Sequence, residues 1–336
     1  MRFLHTTLPQ LWLQRGPKVW PLLPLSWLYG ALVAWRRLAF ARGWLASSHP
    51  GVPVVVVGNV VAGGAGKTPT TIALVQHLRA RGLHVGVVSR GYGRQDRQLR
   101  EVHADSLASE VGDEPLLIAR RTGVPVWVGA SRLQAALALR QAHPEVQLLV
   151  CDDGLQHLAL QRDLEICVMD GRGTGNGWLL PAGPLREPWP RAVDLLLCTD
   201  GRLLAEAPAH SFSAHRTLAA HAVNGHGERC ALAHWVGQPV DAVAGLARPE
   251  AFFDMLRAQG LQLAQTQALP DHADFAHWRP PAGGRDLLCT EKDAVKLWQR
   301  QPQAWAVPLV LEPESGFLAA IDAWLERQGL WTRPPR

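Results

Sequence analysis

The sequence predicts a doubly wound, mainly parallel α/β sheet with a second, smaller α/β unit, on three observations. From residue 53 onward short apolar runs alternate with helical stretches, the pattern of βαβ units. The first run, Pro53–Val57, is continuously apolar, as a strand buried on both faces must be. A chain of 336 residues is also long enough for about two domains. Hydrophobic residues make up 47% and charged residues 19% of the chain, which excludes global disorder. Five cysteines, at 151, 167, 198, 230 and 289, form no C-x-x-C pair. That excludes a disulfide framework or a cysteine–zinc site and points to a reducing compartment. The net charge of +5 favours an anionic partner. The arginines are scattered, with no basic stripe interleaved with aromatics beyond the N-terminus, so no nucleic-acid partner is expected.

The N-terminal segment, residues 1–45, comes first. Five of the fourteen tryptophans lie in its first 44 residues, and Val19–Trp35 holds 17 residues without a charge between Arg15/Lys18 and Arg36/Arg37. A spanning helix wants ~20 apolar residues, and Pro21 and Pro24 interrupt the first turn of this one. Trp20, Trp27 and Trp35 fall within about 80° of one another on a helical wheel. Tryptophan at headgroup height and arginine near lipid phosphate make this a helix lying in or dipping into a membrane surface. A helix buried on the protein's own core, and a single span, are the alternatives.

After Pro53–Val57, a helix is expected over Lys67–Arg81, with Ile72, Val75 and Leu78 on one face. Strands follow at Val85–Val88, Val126–Val128, Gln147–Cys151, Leu164–Met169 and Val193–Cys198, with helices at Leu116–Arg121 and Ser131–Gln141. Residues 199–240, rich in Ala and His and without strong periodicity, read as a connector. The alternation then resumes: strand Val240–Ala244, helix Pro249–Gln259, strands Asp286–Cys289 and Val307–Leu311, helix Phe317–Arg327.

The strongest local signal runs from the first strand through Gly58-Asn59 into Gly63-Gly64-Ala65-Gly66-Lys67-Thr68-Pro69. Glycines let several backbone N–H groups point at one phosphate at a helix N-terminus. Lys67 then reaches the terminal phosphates of a nucleotide and Thr68 offers a hydroxyl to Mg²⁺. Pro69 is tolerated because the first helical turn has no donor to lose. The usual pattern wants glycine where this chain has Val61. Asp152-Asp153 end an apolar strand, the position from which an acid holds the metal in phosphate-loop folds. Asp113 precedes a helix, as an N-cap does. Ser89-Arg90-Gly91-Tyr92-Gly93-Arg94 follows a strand, where α/β sheets bind ligands, and His272 lies in a loop. From the residues alone, Asp113, Arg90 and His272 are equally well solvated or structural side chains.

Taken together these segments resemble the tetraacyldisaccharide 4'-kinases, the lipid A 4'-kinases of Gram-negative bacteria. The resemblance covers nearly the whole chain. It adds to the segments above Gly112-Asp113-Glu114-Pro115, Asp152-Asp153-Gly154-Leu155-Gln156-His157 and Leu180-Pro181-Ala182-Gly183-Pro184-Leu185-Arg186-Glu187-Pro188. It continues in Ala244-Gly245-Leu246-Ala247-Arg248-Pro249, Pro270-Asp271-His272 and Thr290-Glu291-Lys292-Asp293-Ala294-Val295-Lys296. The family's loop also lacks the glycine replaced here by Val61.

The resemblance implies a P-loop kinase domain over residues 46–210, a β-ribbon connector over 211–239 and a smaller α/β domain over 240–336. It implies transfer of the ATP γ-phosphoryl group to the 4'-hydroxyl of a tetraacylated glucosamine disaccharide 1-phosphate, giving lipid IVA. Asp113 is then the base, with His272 as its partner. Lys67 and the loop bind ATP, Thr68 with Asp152 or Asp153 binds Mg²⁺, and Arg90, Tyr92, Arg186, Glu187 and Arg248 are substrate or cation contacts. A four-chain lipid does not leave its bilayer, since each buried CH₂ is worth about 0.8 kcal/mol. The enzyme is therefore expected at the cytoplasmic face of the inner membrane. Two other readings fit the loop: a dimerising nucleotide-switch ATPase, which would carry lysine where this chain has Ala62, and a nucleic-acid-binding ATPase.

Overall fold

The computed structural model describes residues 10–203 and 210–332. Residues 1–9 of the N-terminal segment, 204–209 before the connector and 333–336 lie outside the described residues.

A 3-10 turn at Trp20–Leu22 leads into helix α1 (Leu23–Ala41). Both prolines sit in first turns, where a missing N–H costs nothing. The helix is inverted relative to an ordinary surface helix. Its polar side is docked: Ser26 Oγ donates to the Leu179 carbonyl at 2.7 Å, Tyr29 OH to that of Arg186 at 2.8 Å, and Arg37 pairs with Glu187 at 3.3 Å. Its apolar side, Leu25, Trp27, Leu28, Leu32 and Trp35, faces outward together with Trp20 of the preceding turn, with Trp27 69% exposed. Burial on the protein's own core is thus not what this helix does. Among the described residues no helix is long and apolar enough to cross a membrane.

Then follow β1 (Val54–Gly58), α2 (Lys67–Ala80), β2 (Val85–Ser89), β3 (Arg100–Val102), α3 (Ala108–Val111), α4 (Asp113–Thr122), β4 (Val126–Val128), α5 (Arg132–Ala142), β5 (Leu148–Asp152), β6 (Leu164–Met169), β7 (Leu195–Cys198) and β8 (Ser211–Leu218). These strands and the last one of the chain, β15 (Leu309–Pro313), form a nine-stranded sheet in the order β15-β8-β7-β6-β1-β5-β2-β4-β3. All its pairs are parallel except the two at its edges. β1, β2, β5 and β7 are buried throughout, as their unbroken apolar runs require. Apolar clusters cover both faces, one holding Leu74, Leu78 and Leu116, the other Ala135, Leu139 and Leu160.

The second sheet, β10-β9-β14-β13-β11-β12, is built from β9 (His221–Val223), β10 (Arg229–Ala231), β11 (Pro239–Ala244), β12 (Gln262–Ala268), β13 (Leu287–Thr290) and β14 (Trp305–Val307). Helices α6 (Pro249–Ala258) and α7 (Glu291–Leu297) belong to the same unit. The chain returns to the first sheet in β15 (Leu309–Pro313) and ends in α8 (Ser315–Arg327).

Two differences from the sequence reading have plain causes. Val307–Leu311 is not one strand, because Pro308, lacking an N–H, cannot continue a ladder; β14 ends before it and β15 begins after it in the other sheet. Consequently α8 packs on the first sheet, through Phe317, Ile321, Trp324 and Leu325. The two crossings between sheets, β8 to β9 and β14 to β15, run side by side as antiparallel neighbours. They form a two-stranded ribbon, half of it lying in the stretch where periodicity was weak.

Candidate functional site

β1, β5 and β2 are adjacent parallel strands, so the loops leaving their carboxyl ends converge on one edge of the sheet. β1 delivers the glycine-rich loop. Gly66 stands at the left-handed φ of 92° immediately before Lys67, and a Cβ there would meet the Thr199 side chain at 3.2 Å. Lys67 Nζ donates to Asn59 Oδ1 at 3.3 Å and lies 3.7 Å from Asp153. Asn59, wholly buried, in turn donates to the Gly63 carbonyl. Arg172 donates to the Gly64 carbonyl at 3.0 Å and Thr199 to that of Ala65 at 3.1 Å. Val61 needs no glycine because its backbone is extended. It bridges Leu185, and Ala62 N–H donates to the Pro184 carbonyl at 2.7 Å. Gly64 and Ala65 complete the loop, and Thr68 and Pro69 lie in the first turn of α2.

β5 delivers the paired acids, whose surroundings differ. Asp152 is buried and accepts from Thr71 Oγ1 at 2.9 Å and, at the limit of contact, from Ser89 Oγ at 3.5 Å. Burial, then the nearby Glu114 and Asp153 carboxylates, push its pKa up to about 7. Asp153, at a φ of 51°, receives Arg186 at 3.0 Å. Burial would raise its pKa, but Lys67, Arg186 and Arg132 outweigh it and hold the carboxyl low.

β2 delivers the loop from Ser89 to Arg94, which lies against the start of α4. Gly112, at a φ of 93°, leaves only 3.0 Å between its would-be Cβ and the Gly91 Cα. Asp113 is the first residue of α4, three residues earlier than the expected helix, and Gly112 takes the cap position. The Asp113 side chain does not cap. Its Oδ2 receives His272 Nδ1 at 3.0 Å and Lys296 Nζ at 2.8 Å. Burial would raise this carboxyl, but the His272 and Lys296 contacts hold it below the usual range. His272 comes from the loop after β12, at a φ of 61°, and its ring stands 5.3 Å from that of Tyr92. The described non-glycine residues with positive φ are Asp153, His272 and Phe275. Two of the three are candidate site residues, where backbone strain collects.

The other predicted contacts fall in two places. Arg186 joins Asp153, while buried Glu187 accepts from Gln156 at 2.7 Å and pairs with Arg191 at 3.1 Å and Arg37. Arg90 is exposed, and its charge acts on His157. Arg248 is on the far side of the phosphate loop, 3.7 Å from Asp170 and 3.9 Å from Asp200, and does not join Asp113. Sequence reasoning missed roles for Asn59, Lys292 and Lys296, although all three stood in quoted motifs. The signal for the lysines was their spacing, one helical turn apart and so on one face.

Among the described residues no group of three or more His, Cys, Asp or Glu side chains is arranged to hold a metal. A Mg²⁺ bound through one or two carboxylates and substrate phosphates needs no such group. Asp152, buried beside the Thr71 and Ser89 hydroxyls and near the Glu114 and Asp153 carboxylates, fits that requirement.

The LpxK family, described as tetraacyldisaccharide-1-P 4'-kinase, matches residues 18–326. The tetraacyldisaccharide 4'-kinase of Verminephrobacter eiseniae (strain EF01-2) is 56% identical over 322 residues, covering 94% of this chain and 75% of the relative. That of Acidovorax sp. (strain JS42) is 57% identical over 315 residues, covering 94% and 93%. Among solved structures, the "apo" form of LpxK from Aquifex aeolicus in complex with ATP is similar with a TM-score of 0.78 at 28% identity, covering 91% of this chain and 99% of that one.

Proposed function

Since the chain belongs to the tetraacyldisaccharide 4'-kinase family, we propose how its own residues carry out that family's reaction. The protein is a kinase of lipid A biosynthesis that moves the γ-phosphoryl group of ATP to the 4'-hydroxyl of a tetraacyldisaccharide 1-phosphate. The observation that carries the assignment of roles is the convergence, at one sheet edge, of the phosphate loop and the Asp113–His272 contact at 3.0 Å. Phosphoryl transfer asks for positioning and charge stabilisation more than covalent chemistry. The loop amides and Lys67 bind the ATP phosphates, with Asn59 and Asp153 steering the ammonium. Arg186, Tyr92 and Arg90 are contacts for the acceptor, and Arg248 stands beside Asp170 and Asp200 across the loop. Glu187 orders Gln156 and Arg191 and ties α1 to the site.

Asp113 accepts the proton of the 4'-hydroxyl. Held ionised by its neighbours, it is ready for that role at any pH near neutrality, and His272 orients it. As O4'–H breaks, O4' bonds to the γ-phosphorus and the bond to the leaving ADP oxygen breaks. Thr68 and Asp152 would hold Mg²⁺, which when bound neutralises phosphate charge. Asp153 is already paired with Arg186 and serves Lys67 instead.

The outward apolar face of α1 rests on the bilayer in which the acceptor lies, while Arg36 and Arg37 tie the helix to Gln156 and Glu187. A peripheral seat at the cytoplasmic face of the inner membrane follows from that face and from where ATP is found. The test is transfer of label from γ-labelled ATP to tetraacyldisaccharide 1-phosphate in detergent micelles. Labelled lipid that disappears in Lys67→Ala is the expected result. Free phosphate without labelled lipid would overturn the assignment in favour of a switch ATPase.

A further inference from the structure

Helix α7 is seven residues long, and each of its polar side chains has a partner. Glu291 meets Arg121 at the far end of α4 at 2.6 Å. Asp293 accepts from the Gly245 N–H at 2.9 Å and from the Thr290 hydroxyl, and so fastens α7 within its own unit. Lys292 and Lys296, on one face, reach the two members of the Asp113–His272 pair, Lys292 the imidazole and Lys296 the carboxylate. Lys292 Nζ contacts Asp271 Oδ1 at 2.9 Å, Glu114 Oε1 at 3.7 Å and His272 Nε2 at 3.3 Å. Lys296 Nζ sits 2.8 Å from Asp113 Oδ2, the same oxygen that His272 Nδ1 contacts.

Asp271 Oδ1 lies 3.9 Å from His272 Nε2, beyond hydrogen-bond reach, so the nearer Lys292 contact assigns the ring protons. An ammonium has three donors and no acceptor, so its contact with His272 requires an unprotonated Nε2. The ring proton is then on Nδ1, where it is donated to Asp113. Glu114 and Asp271 keep Lys292 charged: burial would lower its pKa, yet these carboxylates hold it above the ordinary lysine value.

We propose that Lys292 is a positioning residue of the proton acceptor: it holds His272 in the Nδ1–H tautomer, so that imidazole and Lys296 together occupy Asp113 Oδ2 and Oδ1 is left for the acceptor hydroxyl. The inference rests on the reading of Asp113 as that acceptor. Without Lys292 the imidazole is at liberty to put its proton on Nε2, and Nδ1 then faces the carboxylate as a second acceptor. The logic is that of a ligating histidine whose other nitrogen is fixed by an outer partner, where loss of the partner typically costs ~10–100-fold.

The test combines kinetics with the imidazole ¹⁵N–¹H correlations of the full-length protein, the His272 signals being those missing in His272→Gln. In the wild type His272 is expected as the Nδ1–H tautomer. Lys292→Met is expected to shift it to Nε2–H or a mixture and to lower kcat ~10–100-fold. KM for ATP and lipid should stay near wild type. Lys292→Arg, which keeps a pure donor, should restore the tautomer and much of kcat. A wild-type Nε2–H tautomer overturns the proposal whether or not Lys292→Met folds. So does a Lys292→Met protein with an unchanged tautomer, or with a changed one and full kcat. Failure of the underlying reading looks different: Asp113→Ala would keep its kcat while the tautomer still followed Lys292.

Discussion

Asp152 and Asp113 are both buried carboxylates beside the same edge of the large sheet, and their surroundings push them in opposite directions. Asp152 is covered by hydroxyls and other acids, and its pKa rises to about 7. Asp113 is covered by an ammonium and an imidazole, and its pKa falls below the carboxylate range. One site is short of a positive charge and the other already has it. A metal ion arriving with nucleotide suits the first, and a proton arriving from a hydroxyl suits the second. Burial alone thus says little about an acid's role; the sign of what covers it decides.

The largest effect that bears on this contrast is expected in Lys67→Ala, with kcat/KM falling ~10³–10⁵-fold, since a charge at the transferred phosphoryl group is removed. Asp113→Ala should follow, lowering kcat ~10²–10⁴-fold with little change in KM. A near-normal kcat with a raised KM would show that Asp113 only binds. Asn59→Ala removes the brace on Lys67, a hydrogen bond to a charged group worth roughly 1.5–3 kcal/mol. Its loss is expected as a raised KM for ATP, visible in initial rates against ATP concentration.

The two acids also separate in stability against pH. Asp152 is raised, so its contribution is fully present below the unfolded carboxyl pKa and lost as pH rises toward about 7. Asp113 is lowered, so its contribution is present above the unfolded pKa and lost only as pH falls through the folded one. In chelator, Asp152→Asn should therefore be more stable than wild type at pH 8, by on the order of 1 kcal/mol, the gain vanishing near pH 4. Urea midpoints at the two pH values measure this, and an equal shift at both would refute it. The smallest effect on turnover is expected at α1: Trp27→Ser with Leu28→Ser should weaken sedimentation with anionic vesicles while leaving kcat in micelles within ~2-fold, the substitutions being on exposed side chains.

The phosphate-loop side of the comparison was largely legible in the sequence because it is local. A strand, a glycine turn and a helix start within fifteen residues of chain carry it, and backbone amides need no distant partner to be recognised. The Asp113 side is assembled from residues near 90, 113, 272 and 292–296, which no local pattern connects. There the residues alone left Asp113 an N-cap and His272 a loop histidine; only the family resemblance paired them. The fold divides likewise. Buried parallel strands announce themselves as apolar runs, whereas the ribbon strand Ser211–Leu218, half exposed along its length, has no such signature. Its partner was hidden because one proline splits an apolar run between two sheets.

The docking of α1 has a mechanical consequence. Its hydrogen bonds land on Leu179 and Arg186, and Arg186 N–H is itself bonded to the Val60 carbonyl at 2.7 Å, at the root of the phosphate loop. The outward face and the glycine-rich loop are therefore joined through one short run of hydrogen bonds. A helix of 19 residues lays a straight edge of roughly 28 Å along whatever it rests on. On the proposed membrane seat, a flat bilayer would meet that edge along its whole length and fix the pitch of the active site over the headgroups. A small micelle curves away beneath it, so the same enzyme would approach its lipid at an unfixed angle.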